Sequence, residues 1–297
     1  DLSLIFMHAF RAEFGSVIDT AISIFSNRYP KQFLHQLVSS QLDMDRLDYL
    51  RRDSFFTGVS EGVINTDRII KMLDVAQDEL VVEAKGIYSI DKFIVARRLM
   101  YWQVYLHKTV LAAEHMLVEI VRRARFLAQN GHDIFATSAL KPFLYGNISR
   151  EDFERDPVYL ETFSRLDDFD IYSSIKEWAY DKDQILSTLC SSLVNRQLFR
   201  TELLNTPLDE QKVADLKQRI SKTYGLKPGD VNYFVIYDEA HNSAYNLRQE
   251  RINILFRDGT VKDYSDVSDQ VNEEVLSKTV TKYFICFPKE FDRYVQF

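Results

Sequence analysis

The chain has 297 residues, of which 46% are hydrophobic, so it can bury a substantial core as one large or two modest domains. Its formal net charge of −7 argues against a protein that coats nucleic acid, although an acidic protein can still hold a nucleotide in a local cationic pocket. The two cysteines lie far apart, and no apolar run reaches the roughly 18 residues that a membrane span needs. We therefore expect a cytoplasmic protein with reduced thiols, no signal peptide and no membrane contact.

Glycine and proline are scarce, with 9 and 6 residues, which favours a mainly helical fold. Residues 1–55 carry apolar side chains at three- and four-residue spacing, and they predict consecutive helices with one break at a proline. Residues 66–76 predict a short helix. Alternation in residues 79–90 predicts a small β-hairpin that turns at Lys85-Gly86.

A long helical segment follows from about residue 90 to residue 130, and Gly131 is a natural stop for it. Further helices are predicted in residues 132–205. The polar stretch around Pro207 then marks a boundary between two parts of the chain.

The last part of the chain changes character. Residues 207–297 contain one helical pattern followed by three β-like runs, and the Asp258-Gly259 pair is typical of a hairpin turn. We predict a helical domain in residues 1–206 and a small α+β lobe with an antiparallel sheet in residues 207–297.

The most informative segment is residues 39–62, SSQLDMDRLDYLRRDSFFTGVSEG, which is too charged for a core helix. At about 100° per residue, Asp45, Tyr49 and Asp53 fall on one helix face and drift by roughly 40° at each step, with Arg46 beside them. Carboxylates suit a divalent metal, arginine binds phosphate in a fork, and tyrosine or aspartate can bind hydroxyl groups. A solvated amphipathic helix with i,i+4 ion pairs explains the same pattern, so both interpretations stay open at this point.

A second group of the same kind lies in the long helical segment. Arg97, Tyr101 and Tyr105 are spaced four residues apart, and Lys108 follows at a similar azimuth. One face would then offer two cations and two phenol groups, which suits a triphosphate and the edge of a deoxyribose. Core aromatic side chains with a solvated arginine are the commoner explanation of such a pattern.

These two segments resemble the HD superfamily of phosphohydrolases. The run LDMDRLDYLRRDS…TGV resembles the family's last metal-ligand segment, and ARRLMYWQVYLHK resembles the helix that carries a phosphate-binding arginine. The resemblance is strongest to the dGTPase-like deoxynucleoside triphosphate triphosphohydrolases, which include the SAM-and-HD-domain protein. It implies the C-terminal part of an HD-domain helical bundle, followed by the small α+β lobe.

The resemblance implies a role for each residue of the first segment. Asp45 matches the final metal-ligand aspartate, and Arg46 matches a basic residue that contacts the nucleotide phosphates. Tyr49 and Asp53 match residues that hold the sugar, with Asp53 placed to accept from a 3′-hydroxyl. Close packing at the 2′ carbon, as the family implies, would penalise ribonucleotides.

The resemblance also covers the second segment. Arg97 matches a phosphate contact, Tyr105 matches a residue that lines the sugar pocket, and Lys108 ends a segment like the family's YxHK. Tyr101 stands where relatives can place a histidine, and we include it among the substrate-binding candidates. Arg68 resembles a basic residue at the effector-nucleotide site of some relatives.

The family signature needs a histidine, a His-Asp pair and a later aspartate, and only the later aspartate is matched. His8 and His35 are isolated, and the pair His132-Asp133 follows Asp45 instead of preceding it. That pair fits better as the start of the next helix. The catalytic His and Asp and three metal ligands are therefore expected upstream of this chain, which we interpret as the C-terminal portion of a longer protein.

The resemblance predicts metal-dependent hydrolysis of deoxynucleoside triphosphates to deoxynucleoside and triphosphate in the full-length protein. The divalent metal could be Mg, Mn, Fe, Ni or Zn, and a homo-oligomer, dimer or tetramer, is implied. One aspartate cannot hold a catalytic metal, so the chain alone is expected to be incomplete for catalysis. Two alternatives stay open: an HD phosphohydrolase for nucleoside monophosphates or cyclic nucleotides, and a non-catalytic nucleotide-sensing or assembly module. Single-stranded nucleic acid is a weaker option because of the negative charge.

Overall fold

A computed structural model describes residues 2–242, 251–270 and 280–294 of the chain. The helices are Leu2–Phe14 (α1), Val17–Phe25 (α2), Gln32–Val38 (α3), Met44–Thr57 (α4), Thr66–Met72 (α5), Ile87–Met100 (α6), Lys108–Gln129 (α7), Lys141–Tyr145 (α8), Arg150–Arg155 (α9), Pro157–Ser164 (α10), Asp168–Trp178 (α11), Gln184–Val194 (α12), Glu210–Tyr224 (α13) and Tyr264–Val267 (α14). The strands are Leu73–Ala76 (β1), Glu79–Glu83 (β2), Arg200–Leu204 (β3), Ile236–Asn242 (β4), Asn253–Leu255 (β5), Val261–Asp263 (β6) and Val280–Phe287 (β7). The prediction of a mainly helical fold with a small C-terminal sheet is confirmed.

The chain forms two compact units that are each built from separate stretches of sequence. The first unit comprises residues 3–107 and 241–281, and the second comprises residues 108–240 and 282–297. This division does not coincide with the predicted domain boundary at residue 206, which stays a prediction. Among the described residues, no helix is long and apolar enough to cross a membrane.

The core of the first unit lies under helix α4. Leu47 and Leu50 of this helix are buried and pack in one cluster with Ile90, Phe93 and Ile94 of helix α6. Because these apolar residues occupy one side of α4, its charged side chains must project from the other side. The core thereby fixes which face of α4 is available for chemistry.

A four-stranded sheet of order β1-β2-β5-β6 completes the first unit. Strands β1 and β2 pair antiparallel, β2 and β5 pair parallel, and β5 and β6 pair antiparallel. The predicted hairpin at Asp258-Gly259 is confirmed, because it joins β5 to β6 with Gly259 at a φ of 84°. Glycine adopts this left-handed conformation without a steric clash.

The hairpin predicted at Lys85-Gly86 is wrong, since these residues form a single 3-10 turn. The hairpin lies earlier, between β1 and β2, and it turns at Gln77 and Asp78, which have φ values of 54° and 64°. A tight turn of two positive-φ residues is normally marked by Asn-Gly or Asp-Gly, so Gln-Asp gave no signal. The helix predicted for residues 66–76 accordingly ends at Met72, where β1 begins.

The continuous helix predicted for residues 90–130 is also wrong. Helix α6 ends at Met100, and Tyr101–Tyr105 form a π-helical turn in which the Leu106 amide donates to the Tyr101 carbonyl oxygen over 2.7 Å. Helix α7 begins only at Lys108. A π-turn carries one residue more per hydrogen-bonded ring than an α-helix, so the apolar periodicity hides it. The predicted stop at Gly131 is confirmed by its φ of 85°.

The second unit is organised around helix α7. This helix packs against α8, α12 and β3, and strands β3, β7 and β4 form a three-stranded sheet in that order. Strands β3 and β7 pair antiparallel. Arg123 of α7 is buried and donates to both carboxylate oxygens of Asp183, at 3.0 and 2.6 Å, and to Asp230 at 3.3 Å. This network ties α7 to the start of α12.

Candidate functional site

The start of helix α4 holds Arg46 in a defined position. Asp43 is the N-cap residue, and its carboxylate accepts from the Arg46 amide at 2.8 Å and from the Ser40 amide at 3.3 Å. The Arg46 side chain donates through Nε to the Ser40 carbonyl oxygen at 2.8 Å and lies 3.2 Å from the Asp43 carboxylate. Asp43 is 5% exposed. This role of Asp43 was not predicted, although an aspartate directly before a helix is a standard N-cap signal.

The predicted ridge on α4 exists, and its three residues have different environments. Asp45 is exposed in the first turn of the helix, and within the described residues its carboxylate makes no hydrogen bond or ion pair. Tyr49 is half-buried, one turn further on. Asp53 is also half-buried, and its Oδ2 accepts a 2.6 Å hydrogen bond from the hydroxyl of Tyr105.

The second predicted group, around Arg97, contacts the ridge of α4 through its tyrosine side chains. Tyr105 contacts the Tyr49 ring edge to face at a centroid distance of 6.0 Å, and Tyr101 contacts the Tyr105 ring at 5.2 Å. Burial, together with the hydrogen bond and the charge of Asp53, raises the pKa of Tyr105 far above its ordinary value. Tyr105 therefore stays a neutral donor to Asp53 at every physiological pH.

Two arginines lie beside these tyrosines. Burial, and to a lesser extent Tyr101, raises the pKa of Tyr49, while the charges of Arg97 and Arg46 act in the opposite direction. Arg97 Nε is buried and has no hydrogen-bond partner among the residues that the structure describes. A buried cationic donor without a partner is costly unless an anion completes the site. The geometry therefore joins two guanidinium groups to a tyrosine-lined surface.

Two candidates from the sequence lie outside this group. Lys108 begins α7 in the second unit, where it forms a 3.1 Å ion pair with Glu202. Its predicted alignment with Arg97 on one helix face is wrong, because the π-turn interrupts the helix between them. Arg68 is exposed and donates to the Lys85 carbonyl oxygen at 3.1 Å.

The described residues do not fit a metal centre by themselves. In residues 2–242, 251–270 and 280–294, no three His, Cys, Asp or Glu side chains converge in a way that could hold an ion. Asp45 offers one exposed carboxylate, which is a single hard ligand. His132 and Asp133 lie in the second unit. Their predicted place at the start of the next helix is wrong, because helix α8 begins only at Lys141.

Comparisons with known proteins bear on the two segments. Residues 64–136 match the family described as "HD associated region". Among curated proteins, the uncharacterized protein YwfO of Bacillus subtilis is 30% identical over 274 residues, which is 90% of this chain and 60% of YwfO. A "deoxynucleoside triphosphate triphosphohydrolase SAMHD1 homolog" of Dictyostelium discoideum is 29% identical over 100 residues, covering 32% of this chain and 19% of that protein. The chain thus spans less than two thirds of these curated relatives.

A solved structure gives a fuller match. A phosphohydrolase from Bacteroides thetaiotaomicron is 48% identical, superimposes with a TM-score of 0.91, and is matched over 96% of this chain and 71% of its own. At this identity and coverage, the two proteins share a family and not only a fold. Together with the HD-associated region, it shows that the chain belongs to the HD-type phosphohydrolase family.

Proposed function

We propose that the full-length protein hydrolyses deoxynucleoside triphosphates to a deoxynucleoside and inorganic triphosphate. The observation that carries this proposal is the group in which Arg46 and Arg97 lie beside Tyr49 and the hydrogen-bonded pair Asp53–Tyr105. The Dictyostelium relative, whose name states this activity, supports the choice of substrate. The chain itself supplies a binding surface for that substrate.

The two arginines are suited to the polyphosphate. Arg46 is oriented through Nε by the Ser40 carbonyl oxygen and the Asp43 carboxylate, so the rest of its guanidinium can bind phosphate oxygens with little loss of side-chain entropy. Arg97 forms no hydrogen bond or ion pair with the described residues, and its buried Nε lacks a partner. A phosphate oxygen would satisfy that donor in a charge-assisted bond.

The sugar fits the aromatic side of the same surface. Asp53 uses Oδ2 to accept from Tyr105, and Oδ1 accepts no hydrogen bond from the described residues. Oδ1 can therefore accept from a 3′-hydroxyl while Tyr105 fixes the rotation of the carboxylate. The rings of Tyr49, Tyr101 and Tyr105 offer apolar area for the 2′ carbon, where an added hydroxyl would be buried without a partner.

The reaction also needs groups that this surface does not supply. HD-type phosphohydrolases typically use metal ions, and Asp45 would contribute one carboxylate to a divalent ion. Because the described residues form no complete metal centre, we assign only binding and orientation of the substrate to this chain.

We further propose a homo-oligomer for the full-length protein, a phosphate contact for Lys108 and an effector contact for Arg68.

Binding by this chain tests the surface directly. We expect isothermal titration calorimetry to show that Arg97→Met weakens dGTP binding by about tenfold or more, since one charge-assisted bond is lost. The variant should keep its stability, because Arg97 makes no hydrogen bond within the described protein. Arg52→Met is the matched control, since Arg52 lies on helix α4 of the same unit in an exposed pair with Asp48 at 3.0 Å. Equal affinity of all three proteins would refute the proposed surface.

The type of substrate is tested by comparing phosphate lengths. A triphosphate surface predicts that Arg46→Met and Arg97→Met each weaken dGTP binding much more than dGMP binding. Equal losses for both ligands would favour an enzyme for nucleoside monophosphates. For the reaction, full-length protein is incubated with each dNTP and a divalent metal, and triphosphate is the expected product. Release of pyrophosphate with a monophosphate would overturn the assigned reaction.

A further inference from the structure

A cleft lies in the second unit, and none of its lining residues belongs to the surface proposed above. It is bordered by helix α12, the end of helix α13 and residues 288–290, which follow strand β7. Its volume is about 610 Å³. Clefts that hold small organic ligands commonly have about 300–1,000 Å³, so the space is adequate for such a molecule.

One wall of the cleft is a polar ridge formed by helix α12 and by Arg196 just after it. Gln184, Thr188, Ser192 and Arg196 line it and follow one another at four-residue intervals. This spacing places the amide of Gln184 and the hydroxyls of Thr188 and Ser192 along one face of α12, and Arg196, which follows the end of the helix at Val194, adds a guanidinium to the same wall. Apolar residues on the other side of α12 are buried in the core. The ridge therefore directs both hydrogen-bond donors and hydrogen-bond acceptors towards the cleft.

Arg196 occupies a backbone position that normally selects glycine. Its φ is 56°, its amide donates to the Leu193 carbonyl oxygen, and the amide of Gln197 donates to the Ser192 carbonyl oxygen. These bonds form a Schellman motif in which Arg196 is the left-handed residue that ends the helix. A side chain at this position is strained, whereas glycine is not. Strain at a residue that also lines a cleft indicates a functional role for its side chain.

The charges in the cleft favour an anion. Within the part of the chain that the structure describes, Arg196 and Lys289 make no side-chain hydrogen bond and no ion pair. The carboxylate of Glu290 accepts from the hydroxyl of Tyr224. Two free cations against one carboxylate that is already hydrogen-bonded leave a net positive site.

The remaining wall of the cleft is aromatic. Tyr224 and Phe199 line it, and both rings pack against the buried Phe234, at centroid distances of 5.2 and 6.3 Å. Packing of this kind holds the two rings in place, so they offer a rigid apolar surface. A ligand that fills the cleft would therefore combine an anionic group with a flat ring.

We propose that this cleft binds a small aromatic phosphate. The phosphate lies between Arg196 and Lys289 and accepts from the hydroxyls of Thr188 and Ser192. The ring lies against Tyr224. None of these residues belongs to the HD-associated region, residues 64–136, or to the proposed dGTP surface of helix α4, helix α6 and the π-turn.

Phenyl phosphate is the probe that tests the proposal, with binding to the whole chain measured by calorimetry. Saturable binding is expected, and Arg196→Gly should weaken it by about tenfold or more. The same variant should unfold at an unchanged or higher temperature, because glycine relieves the backbone strain. Lys289→Met should weaken binding similarly, whereas Lys176→Met on α11 is the exposed control and should have no effect. Inorganic phosphate should bind more weakly than phenyl phosphate.

Three results would overturn the proposal. The first is an absence of saturable binding of phenyl phosphate at millimolar concentration. The second is an affinity that Arg196→Gly and Lys289→Met leave unchanged. The third is binding that is lost in Arg97→Met but kept in Arg196→Gly, because the probe would then occupy the proposed dGTP surface of the first unit. Failure of the proposed dGTP surface affects none of these outcomes.

Discussion

Replacing Asp43 tests how firmly the start of helix α4 holds Arg46, the arginine that we propose to bind phosphate. Asp43→Ala removes the acceptor for the amides of Arg46 and Ser40. Loss of an N-cap costs about 1 kcal/mol, and the unsatisfied amide of the half-buried Ser40 adds about 1 kcal/mol. We therefore expect the free energy of unfolding, measured by urea denaturation, to fall by about 2 kcal/mol. The affinity for dGTP should fall as well, because Arg46 loses the Asp43 carboxylate that helps to orient its guanidinium.

Asp43→Asn separates the two contributions of the carboxylate. Asparagine caps a helix as well as aspartate does, so most of the stability should return. The charge that faces Arg46 Nε at 3.2 Å does not return. The asparagine variant should therefore be nearly as stable as the wild type but still bind dGTP more weakly. An alanine variant within about 0.5 kcal/mol of the wild type, or an asparagine variant equally destabilised, would refute the reasoning.

Three further outcomes follow from the structure. Tyr105→Phe removes the 2.6 Å bond to Asp53 and should lower stability by about 1–2 kcal/mol and weaken dGTP binding, as urea denaturation and calorimetry would show; unchanged binding would contradict the role of the pair. Burial raises the pKa of Asp183. The hydrogen bonds from Arg123 and the Leu186 amide, together with the charge of Arg123, outweigh that effect and hold the pKa below its ordinary value. Its stabilising effect is therefore complete above about pH 4 and is lost as pH falls through the lower folded-state pKa, so Asp183→Asn should flatten the acid limb of a stability–pH curve and should lower stability at pH 7. Deleting Gln103, an exposed residue inside the π-turn, should rotate Tyr105 by about 100° and abolish its contact, whereas Gln103→Ala should preserve dGTP binding.

Much of the fold follows from local patterns in the sequence. The helical periodicity around Leu47 and Leu50 predicts α4 and its buried side, and Gly131 and Gly259 mark a helix end and a hairpin. These features depend on neighbours in the chain, so a single sequence contains them. The pairing of β2 with β5 joins residues about 170 positions apart, and no local pattern encodes it.

The same distinction applies to the candidate site. The ridge of Asp45, Tyr49 and Asp53 follows from helix geometry alone, and the roles of its residues came from family resemblance. The hydrogen bond between Asp53 and Tyr105 crosses 52 positions and depends on how α6 packs on α4. The unpartnered Nε of Arg97 likewise depends on burial, which periodicity cannot supply for a single polar atom.

The π-turn separates Lys108 from the other residues of the second predicted group, Arg97, Tyr101 and Tyr105. Each extra residue in a helical turn rotates everything after it by about 100° relative to what precedes it. Arg97 lies before the turn and Tyr101 and Tyr105 lie within it, so they can share a surface with Tyr49. Lys108 lies after it, in a helix that belongs to the other unit. Such turns occur frequently at functional sites because they change the direction of side chains without breaking the helix. The irregularity of the backbone therefore singles out the same aromatic residues that hydrogen bonding and charge connect to Asp53 and the two arginines.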